Sequence, residues 1–146
     1  MMNRLIQVLV CLAAFALSLP ANAQVGRSYK DGPVTAVTYL RIEYGHFDEY
    51  VDWLNSTWKP TMEAKKKAGL ITHYKVFTAR PKKPDEPNVI FMLTYPDMAG
   101  LDRGAEEEAV AEKVIGSTEV QNKARIGRSD YRKVLGSELI REIILK

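Results

Sequence analysis

The sequence predicts an α+β domain in the order β-α-β-β-α-β. Two stretches, about residues 47–68 and 98–135, carry apolar residues at helical spacing. Four others, residues 36–43, 70–79, 89–95 and 137–145, carry the β-branched and aromatic residues of strands. Glycine and proline mark the boundaries between them. Strand, helix, two strands, helix, strand is the split βαβ order of the ferredoxin-like fold. It makes a four-stranded antiparallel sheet with both helical regions on one face.

Size and composition agree with one such domain. The chain has 146 residues, 46% hydrophobic and 27% charged, which are ordinary globular values. Its formal charge of +3 comes from 21 basic and 18 acidic side chains. That balance argues against a nucleic-acid partner, which calls for a strong basic excess. One cysteine excludes an intramolecular disulfide and a cysteine-rich zinc site.

Residues 1–23 have the pattern of a secretory signal peptide. Arg4 gives the positive start, Leu5 to Leu19 the apolar run, and Ala21-Asn22-Ala23 the small-x-small cleavage site. The apolar run is shorter than the roughly 20 residues a spanning helix needs, so no stable membrane insertion is expected after cleavage. Cleavage after Ala23 leaves a mature chain starting at Gln24, without cysteine. Thiol nucleophiles and thiolate metal sites are then excluded. The expected product is exported, to the periplasm or outside the cell. Residues 24–35, with Gly26, Gly32 and Pro33, are expected to form a flexible arm, and residues 36–146 the domain.

Each element has its own signal. Val37, Thr38, Tyr39 and Ile42 mark the first strand, which Gly45 ends. Phe47, Tyr50, Val51, Leu54 and Trp58 form one helical stripe. Pro60 lies inside that helix and is expected to kink or break it, and Gly69 to stop it. Three prolines at 81, 84 and 87 exclude a regular element between the second and third strands. Asp97 is the expected cap of the second helical region. That region is interrupted at Gly116, resumes with Thr118 and Gln121 as a capping box, and runs to Gly136. Val120, Ala124, Gly127, Tyr131 and Val134 form its apolar stripe, with Gly127 placed for close packing.

A sheet covered by helices on one face should be polar on the other. The third strand disagrees, with Val89, Phe91, Leu93 and Tyr95 on one side and Ile90 and Met92 on the other. The last strand sets Leu139, Ile143 and Leu145 against Ile140 and Ile144. Something must cover the second face. A second copy does so with one self-complementary patch, so a homodimer packed sheet to sheet is expected.

A strand ending Tyr44-Gly45, a helix opening Phe47-Asp48-Glu49-Tyr50, Ala68-Gly69 before the second strand and Tyr95-Pro96-Asp97 after the third carry a resemblance. Over residues 36–145 the chain resembles the dimeric α/β-barrel superfamily, and most of all its uncharacterised exported members. The superfamily includes cofactor-free monooxygenases, haem-binding and haem-degrading proteins, small isomerases and proteins without known activity. The resemblance implies a ligand pocket between sheet and helices, and no one reaction.

Few residues are candidates for chemistry. His73, mid-strand with Ile71, Lys75 and Phe77 on its side, suits an acid-base group or a haem ligand; the plainer reading is a partly buried packing histidine. His46 sits in the turn before the first helix. Tyr39, Arg41 and Glu43 share one side of the first strand. There Arg41 would hold an anionic group and Tyr39 would donate to a carbonyl or quinone oxygen, or the set is a structural ion pair. Trp53 and Trp58 on the first helix and Tyr95 at the end of the third strand are candidates to wall a pocket for a flat ligand. For Trp58 the core is the default. Arg125, Arg128 and Arg132 make a basic stripe whose simplest reading is a solvated helix face. Lys65-Lys66-Lys67 complement a helix dipole. No metal site and no cofactor is indicated. The chain has no glycine-rich phosphate loop and no GxSxG elbow.

Three functions compete. One is a small-molecule pocket, with His73, Tyr39 and Arg41 as catalytic candidates for a metal-free oxidation or isomerisation. Another is haem binding through His73. The third is a non-catalytic envelope or stress protein acting through its surface.

Overall fold

The computed structural model describes residues 26–146. The expected signal peptide and the first two residues of the expected arm lie outside them. Strand β1 runs Tyr29–Ile42, β2 His73–Thr78, β3 Val89–Tyr95 and β4 Arg132–Leu145. They form one antiparallel sheet in the order β2-β3-β1-β4. The helices, α1 Phe47–Trp53, α2 Lys59–Lys67, α3 Gly104–Ile115 and α4 Thr118–Ser129, fall in the two predicted regions. The α+β, ferredoxin-like architecture is therefore present.

The first correction is at the arm. From Tyr29 onward it is strand, and it pairs with the end of β4, Tyr29 opposite Leu145 and Lys30 opposite Ile144. Gly32-Pro33, which look like a turn, form a bulge between Asp31 and Val34. A side chain at Gly32 would meet the Glu142 Cβ at 3.0 Å and its backbone oxygen at 3.1 Å, a tight approach that glycine relieves. Arg141 ties the segment down through Asp31 at 3.3 Å.

The first helical region continues through Pro60. A π-helical turn, Leu54–Trp58, lies between α1 and α2, and Pro60 is the second residue of α2. The wider turn absorbs the proline, whose missing N–H would break a regular helix. In an α-helix, residues five apart stand about 140° apart around the axis. An i→i+5 turn brings them closer together around the axis, and Trp53 and Trp58 line the same cavity.

The second helical region ends earlier than predicted. Asp97 does cap its opening 3-10 turn, accepting from Gly100 N–H at 3.0 Å. Gly116, at φ 106°, breaks the helix, and Ser117 rather than Thr118 caps α4. The helix then stops at Ser129, and β4 takes over from Arg132. Tyr131 and Val134 are thus not helical. Gly127 has nothing within 4 Å of a built side chain, so it marks no close packing.

The core lies between helices and sheet. Leu40, Ile42, Tyr50, Leu54, Val89, Phe91 and Tyr131 form one buried cluster, and Met62, Ile71 and Tyr95 a second. Trp58 packs against both. Asn88 fastens the open end of β1. Its side chain accepts from Ile42 N–H at 2.9 Å and donates to Ile42 C=O at 2.8 Å. Asn88→Ala strands both backbone groups and is expected to cost about 2 kcal/mol, measured by urea unfolding. Asn88→Asp keeps the acceptor but sets a carboxylate against that carbonyl, and is expected to cost at least as much.

Burial, with Glu107 nearby, pushes the Tyr95 phenol up to about 12. The unfolded phenol loses its proton near the ordinary value of about 10. Between those values the unfolded chain binds fewer protons, so this contribution to stability is complete below pH 10 and falls as pH rises toward 12. Tyr95→Phe is expected to show a shallower loss of urea midpoint between pH 9 and pH 11.5 than the parent.

Candidate functional site

The candidate residues divide between the two sides of the sheet. Register puts Tyr39, Ile90 and Phe77 in one row, and Thr35, Thr94 and His73 in another, all on the side away from the helices. Thr35 and Thr94 join through their hydroxyls at 3.0 Å. Tyr39 donates to Glu138, and that bond, more than burial, holds its phenol above the ordinary value. Arg41 donates to the Glu86 carbonyl at 3.3 Å. It lines a shallow cleft of about 430 Å³ with Tyr44, Phe47 and Asn88. Glu43 pairs with Lys133 at 3.2 Å and not with Arg41. His73 is exposed on the edge strand β2 and lines neither this cleft nor the cavity described next. His46 stacks on Tyr131, with ring centroids 4.8 Å apart, and bonds Glu49 at 2.9 Å.

On the helix side a cavity of about 380 Å³ opens between the first helical region and α3–α4. That is within the range of small-molecule pockets, roughly 300–1,000 Å³. Trp53 and Trp58 are its aromatic wall, Met62, Ala111 and Ile115 its apolar lining, and Arg125, Arg128 and Arg132 its cations. Behind the wall lies an aromatic cluster. Tyr50 stacks on Trp53 at 5.4 Å, and Trp58 meets Phe91 at 4.9 Å and Tyr74 at 5.2 Å. Tyr95 is buried in the second core cluster and does not line the cavity.

The arginines are where the structure departs furthest from the sequence reading. Arg128 and Arg132 are only partly exposed. Arg128 lies over the Trp53 ring at 4.0 Å, a cation–π contact. Burial, then the neighbouring Arg132, lowers the Arg128 pKa, though a guanidinium stays charged at any ordinary pH. The Nε atoms of both arginines and the Tyr50 hydroxyl are buried without a hydrogen-bond partner. Burial raises the Tyr50 phenol, and Arg132 beside it opposes the rise without overcoming it. The stripe is thus no solvated face throughout. A sequence signal existed: no aspartate or glutamate stands three or four positions from Arg125, Arg128 or Arg132, whereas exposed helix cations commonly have such partners.

No protein-family model matches the chain, and no curated protein gives a significant match to it. Solved structures do match. One is described as a dimeric ferredoxin-like protein from an uncultured marine organism, 14% identical, with 80% of this chain and 98% of that one covered at a TM-score of 0.51. The chain has the ferredoxin-like fold. Protein SO0527 from Shewanella oneidensis is similar at 19% identity, 80% and 98% coverage and a TM-score of 0.51. HapK from Hahella chejuensis is similar at 14% identity, 75% and 91% coverage and a TM-score of 0.50. At such identities the likeness concerns the fold, and activity must be argued from the site. Two of the similar structures are described as dimeric. Among the described residues no helix is long and apolar enough to cross a membrane, and no three His, Cys, Asp or Glu side chains gather as a metal site would require.

Proposed function

We propose that this protein is exported, pairs through its open sheet faces, and binds one small ligand per subunit in the cavity walled by Trp53 and Trp58. The cavity carries the proposal, because it joins suitable volume and aromatic walls with a set of polar and cationic groups that can orient a ligand. Export rests on the pattern of residues 1–23. Sheet-to-sheet pairing rests on exposed Phe77, Ile140 and Ile144 on the face no helix covers. The resemblance to the superfamily suggests metal-free oxidation or isomerisation of that ligand. On this chain the polar groups nearest such a reaction are Thr57, Thr61 and the arginines of the cavity, while Tyr39, Arg41 and His73 stand across the sheet. Haem has no observation in its favour, His73 being exposed on an edge strand.

Native mass spectrometry on protein purified from its own host's periplasm tests the proposal. The expected species is a dimer that has lost residues 1–23 and carries a reproducible extra mass for each chain. A bare dimer would count against the ligand, and a monomer at micromolar concentration against the pairing.

A further inference from the structure

We infer that the cavity selects a planar aromatic anion, a fused or single ring bearing a carboxylate, with the ring against Trp58 and the apolar lining, beside the Trp53 ring that Arg128 already covers, and the carboxylate taken by Arg128 and Arg132. This deepens the ligand-binding reading above and rests on it.

Charge is the first ground. Three arginines line the cavity and no aspartate or glutamate does. The remaining cation, Lys65, is paired with Glu107, both side chains being mostly buried. Like charges held close in a partly dry recess repel, and nothing of opposite sign in the cavity relieves them.

Hydrogen bonding is the second. Buried polar atoms nearly always have partners, yet the Nε donors of both Arg128 and Arg132 lack one. The cation–π contact with Trp53, at 4.0 Å, holds the Arg128 guanidinium at the cavity wall without supplying a hydrogen-bond acceptor. A carboxylate supplies what such edges lack, since it accepts two parallel bonds from one guanidinium. A neutral ligand would leave the charge unanswered.

Shape is the third. Trp53 and Trp58 line the same cavity, and Met62, Ala111 and Ile115 add apolar surface. A small inorganic anion would leave that surface unused. A flat ring covers it.

The two tryptophans are the only ones in the chain, so its tryptophan emission reports on this cavity. Calorimetric titration of the purified protein with 1-naphthoate, with its neutral isostere 1-naphthamide and with sulfate tests the inference, with tryptophan emission followed in parallel. Naphthoate is expected to bind at one site per chain, at least about tenfold more tightly than the amide. Arg128→Gln and Arg132→Gln are each expected to weaken naphthoate about tenfold or more and to leave the amide nearly unchanged. Unaltered far-ultraviolet circular dichroism would show that both variants fold, and Arg41→Gln, across the sheet, should bind as the parent does. Equal binding of naphthoate and naphthamide would overturn the anion selection and leave the ligand cavity standing. Sulfate binding as tightly as naphthoate would overturn the aromatic part. No heat and no change in emission with either ring compound would overturn both readings.

Discussion

Replacing Phe77 and Ile140 together by aspartate is expected to leave the fold intact and to turn the proposed sheet-to-sheet dimer into monomers. Phe77 is 43% exposed and Ile140 44% exposed in the isolated chain. They stand on the open face, Phe77 opposite Ile90 and Ile140 opposite Thr35. Neither belongs to a core cluster, so the monomer has little to lose. In a two-fold dimer each substitution is made twice. With about 1 kcal/mol for the remaining exposed half of each side chain, four side chains come to about 4 kcal/mol, or about a thousandfold in the dissociation constant. Four carboxylates brought into an apolar interface add a desolvation cost on top. Sedimentation velocity at micromolar concentration reads the result. Wild-type association in the double variant would move the interface elsewhere. The helix side of β4, where Leu139, Ile143 and Leu145 are also exposed, would then be the next surface to test.

How much of this was legible in the sequence follows from what each element depends on. β3 has the bounds its apolar run predicts, because a central strand is set by its own apolar residues and by turn residues at both ends. β1 and β4 each extend further than their local patterns suggest. The early part of β1 contains Gly32-Pro33, and only pairing with β4 makes it strand. The early part of β4 contains Tyr131 and Val134, which continue the helical spacing of α4. Helical and strand periods coincide at some positions, and a pattern alone does not show where one gives way to the other. Pro60 misleads in the opposite sense, since a π turn accommodates it.

The site divides in the same way. Trp53 and Trp58 stand out by residue type, and the cavity they wall is there. The arginines beside them were hidden by an assumption about which way a helix faces. Arg132 is not on that helix at all. It is the first residue of β4, next to Ile42 in the sheet, and long-range pairing brings it to Arg128 and the cavity. Tyr39, Arg41 and His73 have suitable chemistry one by one. They share the open side of the sheet but lie in different rows, each with separate partners.

Leu40→Ala is expected to cost the subunit about 3 kcal/mol of stability. Leu40 is 2% exposed and packs with Ile42, Tyr50, Leu54, Val89, Phe91 and Tyr131. It occupies β1, a central strand held between β3 and β4, so the backbone around it has little freedom to close the space left behind. Large aromatic neighbours, Tyr50, Phe91 and Tyr131, relax poorly into a cavity of that size. The loss should be read by urea unfolding in the Phe77→Asp, Ile140→Asp background. Association stabilises any folded subunit by mass action, and removing it isolates the core. In the parent the midpoint should rise with protein concentration, and in the monomeric background it should not. Because Leu40 faces the helices and the two aspartates face away, their effects are expected to add within about 0.5 kcal/mol. A Leu40→Ala loss below about 1 kcal/mol would mean that the helix layer shifts to refill the core. The cavity walled by Trp53 and Trp58, built on that same layer, would then have to be adjustable in shape, and a fit argued from its volume would fail with it.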